Sequence, residues 1–216
     1  QTLYTSIESI IHYPDAQGHA LKARISHYYR IKEEQITLGN GAVELMYVLC
    51  HTIKPQRILV TAPTFSEYES AARGSGAAIE YLYLNAADDF TIDIQGIIKK
   101  LPAIDIVFIC NPNNPTGTLL SNEQIEELLL AAKVHHTYVV VDESFMDFLS
   151  DDHSYTCRGL LNAYSNLIIL HSLTKFYAIP GLRLGFSLAN PELTTKLHNG
   201  KDPWNVNTLA QDAGVT

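Results

Sequence analysis

Apolar residues along this chain fall into two alternating rhythms. Short, nearly unbroken apolar runs occur at residues 57–61, 78–84, 104–110, 138–141 and 167–170, and a shorter one at 35–38. Runs of this length, rich in Ile, Val and Leu and bounded by turn residues, predict strands, most of them buried on both faces. Between them the spacing is helical. In 18–30, Leu21, Ile25 and Tyr28 or Tyr29 recur at intervals of three and four, and the same rhythm predicts helices over 6–12, 94–101, 191–200 and 204–213. Further helices are predicted to open within 39–44 and run to about His51, to follow Pro63-Thr64-Phe65 through about Arg73, and to cover 123–134 with Ser121 or Asn122 as the cap.

Strand-like and helix-like stretches alternate, which predicts an α/β sheet. Gly39, Asn111, Asp142 and Ser172 each stand just beyond the carboxyl end of an apolar run. Ligands of α/β sheets bind beyond that edge, so these four positions mark one candidate site. No internal repeat, linker or low-complexity tract interrupts the pattern, and a single domain is expected.

Composition narrows the function classes. The 216 residues carry 15 Lys and Arg against 23 Asp and Glu, a formal net charge of −8, and contain no basic run. That balance argues against a nucleic-acid partner, although one arginine with a helix N-terminus can still hold an anion. Cys50, Cys110 and Cys157 are odd in number and lack Cys-x-x-Cys spacing, so neither a disulfide framework nor a zinc site is expected. The nine histidines show no metal spacing. No apolar run approaches bilayer length and no signal-like leader opens the chain, which gives the expectation of a cytoplasmic protein without membrane contact.

The densest candidate chemistry lies in LIILHSLTKFYAIPGLRLGF at 167–186. It delivers Ser172, Thr174 and Lys175 at a strand end and returns Arg183 after a Pro-Gly turn, a set suited to an anchored anion beside an amine. Phe176, Tyr177 and Ile179 would desolvate Lys175 and leave its amine nucleophilic toward an aldehyde. Glycines at 39 and 41 between a strand and a helix would let backbone N–H groups approach a phosphate. A dinucleotide turn is disfavoured because Glu44 stands where G-x-G-x-x-G needs its third glycine. Asp142, at the end of a buried strand, needs a partner for its charge.

Three motifs, SLTKFYAIPGLRLGF at 172–186, NPNNPTG at 111–117 and VVVDESF at 139–145, resemble the pyridoxal-phosphate enzymes of the class I/II aminotransferase group. The likeness is strongest to the branch holding histidinol-phosphate aminotransferase and threonine-phosphate decarboxylase. It implies a three-layer αβα fold with a mainly parallel seven-stranded sheet, in which 181–189 is an antiparallel strand. It implies pyridoxal 5′-phosphate bound covalently by Lys175, with Asp142 on the pyridine nitrogen and Asn114 donating to the 3-oxygen. Ser172, Arg183 and the backbone of Asn40, Gly41 and Ala42 would hold the phosphate, and Phe65, or Tyr68 in its place, would stack on the ring. Tyr13 would reach the phosphate of a second subunit, making the protein a homodimer.

One departure is Phe145, where many relatives carry a tyrosine that also donates to the 3-oxygen; a phenyl ring cannot donate. His171 stands where relatives often carry arginine and receives no substrate role. The resemblance implies that 1–216 is the cofactor-binding large domain, without the N-terminal segment and the small C-terminal domain whose arginine binds the substrate carboxylate. It leaves three functions open: decarboxylation of threonine phosphate, as in cobalamin side-chain synthesis; histidinol-phosphate transamination, as in histidine biosynthesis; or a non-catalytic relative or inactive fragment. Both enzyme readings imply a small phosphorylated amine as substrate.

Overall fold

The apolar runs become the strands β1 (Ile36–Gly39), β2 (Arg57–Ala62), β3 (Ala78–Tyr83), β4 (Ile106–Cys110), β5 (Tyr138–Asp142), β6 (Leu167–Ser172) and β7 (Gly185–Leu188). They appear in a computed structural model that describes residues 2–216. The strands form one sheet in the order β1-β7-β6-β5-β4-β2-β3. β7 pairs antiparallel with β1 and β6, and every other pair is parallel; the antiparallel strand expected over 181–189 is confined to Gly185–Leu188, because Pro180–Leu182 forms a 3-10 turn.

The helices are α1 (Thr2–Ser6), α2 (His19–Tyr29), α3 (Ala42–Ile53), α4 (Glu67–Ser75), α5 (Ile94–Lys100), α6 (Asn122–Val134), α7 (Leu173–Phe176), α8 (Pro191–Gly200) and α9 (Thr208–Val215). Strand alternation sorts their partners. Val107 and Ile109 of β4 and Val139 and Val141 of β5 pack with Ile97 of α5, Ile125 and Leu128 of α6 and Leu21 of α2. Phe108 of β4, Val140 of β5 and Ile168 of β6 face the other way, against Met46 and Leu49 of α3, Tyr68 of α4 and Leu197 of α8. A strand buried on both faces has no polar side, which is why these segments read as continuous apolar runs. The result is the three-layer αβα arrangement.

Several local expectations are corrected. Residues 6–12 are not an α-helix: α1 ends at Ser6 and a 3-10 turn covers Ile7–Ile11. The last helix starts later than its apolar spacing implies, because Asn207 caps it by accepting from Ala210 N at 2.9 Å and leaves Trp204 outside in a turn. Of the two possible caps for α6, Ser121 serves: its Oγ accepts from Gln124 N at 3.3 Å while Gln124 Oε1 accepts from Ser121 N at 2.9 Å.

Asp151, Asp152 and the polar stretch that follows them to Cys157 predict a solvated loop, and only part of that segment is one. Asp152 pairs with Arg158, Cys157 is fully buried, and Thr156 Oγ1 and Cys157 N donate to Glu143 at 2.8 and 2.6 Å. Glu143 turns away from Asp142, as strand alternation requires, and burial pushes its carboxyl above the usual range. Among the described residues no helix is long and apolar enough to cross a membrane, and no cluster of His, Cys, Asp and Glu could hold a metal ion.

Candidate cofactor site

The segments leaving the carboxyl ends of β1, β2, β4, β5 and β6 deliver the parts of one open cleft. The loop after β2 supplies Phe65, the turn after β4 supplies Asn114, β5 ends in Asp142, and β6 runs into Ser172 and Lys175. The N-terminus of α3 adds Ala42 and Val43, and Arg183 closes the rim.

Asp142 is 4% exposed, and three donors offset the burial of its charge. Tyr68 Oη donates to Oδ2 at 2.8 Å, and Ser144 donates to Oδ1 from its N at 3.0 Å and its Oγ at 2.5 Å. Hydrogen bonds to a charged group contribute about 1.5–3 kcal/mol each, comparable to the several kcal/mol that burying an ion costs. Cys110, paired in register with Asp142, forms a neutral wall: burial, then the charge of Asp142, pushes its thiol up to about 12.

The NPNNPTG turn divides its labour between adjacent asparagines. Asn113 is buried and ties two loops together, accepting from Thr64 Oγ1 at 2.7 Å while its Nδ2 donates to Pro63 O at 3.1 Å and Thr116 Oγ1 at 2.7 Å. That clip leaves Asn114 turned to the cleft. Ser172 caps the one-turn α7 and shares a 2.7 Å contact with Thr174 Oγ1, to which Lys175 Nζ donates at 3.3 Å. Lys175 is exposed, and so are Phe176 and Tyr177. The desolvation expected from its apolar neighbours is therefore not found, because those rings turn outward from the short helix.

The N-terminus of α3 also reaches the cleft. The first N–H groups of a helix have no intrahelical partner, and at α3 those of Ala42 and Val43 stand at the cleft. Asn40 N donates to Glu44 Oε2 at 2.6 Å and Gly41 N to Gly39 O at 2.8 Å, so these two donors are already engaged. Gly41 (φ 80°) has no side chain for a geometric reason: a Cβ there would lie 2.4 Å from Arg183 Nη2. Arg183 itself holds a left-handed backbone (φ 58°), a conformation that costs a non-glycine residue energy and gathers at functional sites.

The lining fits pyridoxal phosphate. It offers an amine, a buried carboxylate, an amide donor, a half-buried aromatic ring, and a cation with a hydroxyl and a helix N-terminus for the phosphate. Tyr13 lies elsewhere, 79% exposed with its ring 4.7 Å from that of Trp204. Tyr68, the alternative ring-stacking residue, is fully buried behind the cleft wall.

Sequence reasoning missed Tyr68 and Ser144 as partners of Asp142, Asn113 as the clip, and Cys110, Val43 and Met46 as lining. The position of Cys110 at the end of the run beside Asp142 was its one available signal. Gly185 was missed too: a Cβ there would meet Ala42 N at 2.6 Å and His171 O at 2.8 Å, so its bareness lets α3 dock on β7.

A seven-stranded mixed sheet between helical layers, with this cleft beyond its strands, is the fold of the pyridoxal-phosphate-dependent transferases. The aminotransferase class I and II family matches residues 4–216, and the chain belongs to it. A Caldanaerobacter subterraneus subsp. tengcongensis protein, provisionally named as a threonine-phosphate decarboxylase, is 35% identical over 94% of this chain and 55% of its own length. The histidinol-phosphate aminotransferase of Clostridium acetobutylicum superposes with a TM-score of 0.88 at 33% identity, covering all of this chain and 64% of that one. The Sinorhizobium meliloti histidinol-phosphate aminotransferase in complex with pyridoxal-5′-phosphate superposes at 0.91, over 99% of this chain and 58% of that one; at 17% identity it shows the fold alone. The chain thus spans little more than half the length of the curated relative. Its family uses pyridoxal phosphate as cofactor.

Proposed function

We propose that this chain is the cofactor-binding large domain of a cytoplasmic, homodimeric enzyme acting on a small phosphorylated amino acid or amino alcohol, and that its reaction is decarboxylation of L-threonine O-3-phosphate, a step of cobalamin side-chain synthesis. The observation that carries the reading is the convergence of Lys175, Asp142, Asn114, Ser172, Arg183 and Phe65 on one cleft. When bound, pyridoxal phosphate supplies a ring that accepts electrons from a bond broken at the substrate's α-carbon.

The chain's own residues do the rest. Arg183, Ser172 and the Ala42 N–H fix the phosphate end, and Phe65 covers a face of the ring. Asp142 holds a proton on the ring nitrogen, and Asn114 donates to the 3-oxygen. Lys175 Nζ anchors the cofactor and then returns a proton to the α-carbon. Phe145 also lines the cleft and offers no donor, which leaves Asn114 as the main one and favours the decarboxylase branch over the tyrosine-bearing aminotransferases. Histidinol-phosphate transamination is the second reading, supported by the solved relative at 33% identity.

Two measurements test this. Borohydride reduction with pyridoxal phosphate followed by peptide mapping should label Lys175, and label on another lysine overturns the assignment. The full-length protein should then release carbon dioxide and aminopropanol phosphate from threonine phosphate without a keto acid. Turnover of histidinol phosphate that stops when 2-oxoglutarate is withheld would instead establish the aminotransferase.

A further inference from the structure

We propose that Tyr68 is a positioning residue: it sets the direction in which Asp142 presents its carboxylate to the cofactor's ring nitrogen and couples that carboxylate to Phe65 at the ring face. The inference rests on the reading of Asp142 and Phe65 given above. Tyr68 does not line the cleft, whereas Asp142 and Phe65 both do. Its side chain is fully buried on α4, and its hydroxyl donates to Asp142 Oδ2 at 2.8 Å.

The other carboxylate oxygen is held from the opposite side by Ser144 N and Oγ. Turning the carboxylate about its Cβ–Cγ bond would break both sets at once, so its plane is fixed before any ligand arrives. The phenol is in turn fixed by its ring, which stacks on Phe108 (centroids 5.1 Å apart, planes 11° apart) and meets Phe65 edge-on at 5.6 Å and 83°. One side chain therefore touches both the group assigned to the ring nitrogen and the group assigned to the ring face. Burial, and then the adjacent Asp142 charge, raises the phenol's pKa well above its ordinary value, so the hydroxyl remains a donor.

A buried tyrosine that merely satisfies its hydroxyl would share the same short distance. The two roles differ in what removing the oxygen does to cofactor binding. Tyr68→Phe keeps the ring and its packing and deletes only the donor. With pyridoxal phosphate alone as the probe, binding to Tyr68→Phe, Asp142→Asn and the double variant of the full chain should be titrated, with thermal melts on the same samples. Tyr68→Phe should raise Kd about three- to tenfold; it should also lower the melting temperature, because a buried carboxylate loses a donor, and the melts establish that each variant is folded at the temperature of the titration. It should also shift the pH profile of the bound cofactor's absorbance. In the Asp142→Asn background it should add nothing, because the group it orients is gone. An unchanged Kd in Tyr68→Phe, or effects that add in the double variant, would overturn the positioning role while leaving the assignment of Asp142 intact. An unchanged Kd in Asp142→Asn would overturn that assignment and the role of Tyr68 with it.

Discussion

Arg183 shows how much of the site depends on single side chains. Its guanidinium packs over Gly41, its backbone is left-handed, and Nη1 donates to Pro180 O at 3.3 Å, so it is held beside the first turn of α3. A charge-assisted contact to a phosphate contributes about 1.5–3 kcal/mol. Arg183→Ala should therefore weaken pyridoxal-phosphate binding about tenfold or more, read as Kd in a fluorescence titration. Unchanged affinity would remove Arg183 from the phosphate site. The convergence of Lys175, Asp142, Asn114 and Arg183 on one cleft was legible in the sequence because each stands in a short motif close to a strand. Tyr68 as a partner of Asp142 was not: the two are 74 positions apart, and nothing local to FSEYES announces a hydroxyl aimed at a carboxylate.

At the scale of elements, the site depends on how closely α3 approaches β7. An added methyl at Gly185 would lie 2.6 Å from Ala42 N, 2.8 Å from His171 O and 3.0 Å from Gly41 C. These are backbone atoms that cannot swing aside. Gly185→Ala should therefore destabilise the fold by about 1–3 kcal/mol in denaturant titration, the usual cost of overpacking. It should also weaken cofactor binding, since α3 would be pushed out of register with Arg183. A neutral result would mean that β7 and α3 approach less closely than described. The strands were readable because burial on both faces leaves an unbroken apolar signature, as in IVFIC of β4 and LIIL of β6. Helix ends were less readable. Asn207 sets the start of α9 through a cap that apolar spacing does not register, and the 151–157 segment is drawn inward by Glu143, a partner outside the segment itself.

At the scale of the whole molecule, the N-terminal segment carries apolar side chains that the rest of the described chain does not cover: Tyr4, Ile7, Ile10, Ile11 and Tyr13 are all exposed. Tyr13 rests on Trp204 and does not line the cleft of its own chain. We propose, as the family resemblance implies, that Tyr13 serves the phosphate site of a second subunit, and mixing two defective variants tests it. Tyr13→Phe and Arg183→Ala should each bind pyridoxal phosphate weakly as homodimers. In a hybrid dimer acting in trans, the site with intact Arg183 receives the intact Tyr13 of its neighbour, and the other site collects both lesions. Co-refolded mixtures should then recover one site of wild-type affinity per hybrid dimer. If Tyr13 acts within its own chain, or not at all, the hybrid contains no such restored site beyond those the parent variants already have. Titration of the purified hybrid distinguishes the two arrangements by stoichiometry, and recovery of no wild-type site would sink the shared-site proposal even if the protein proves dimeric.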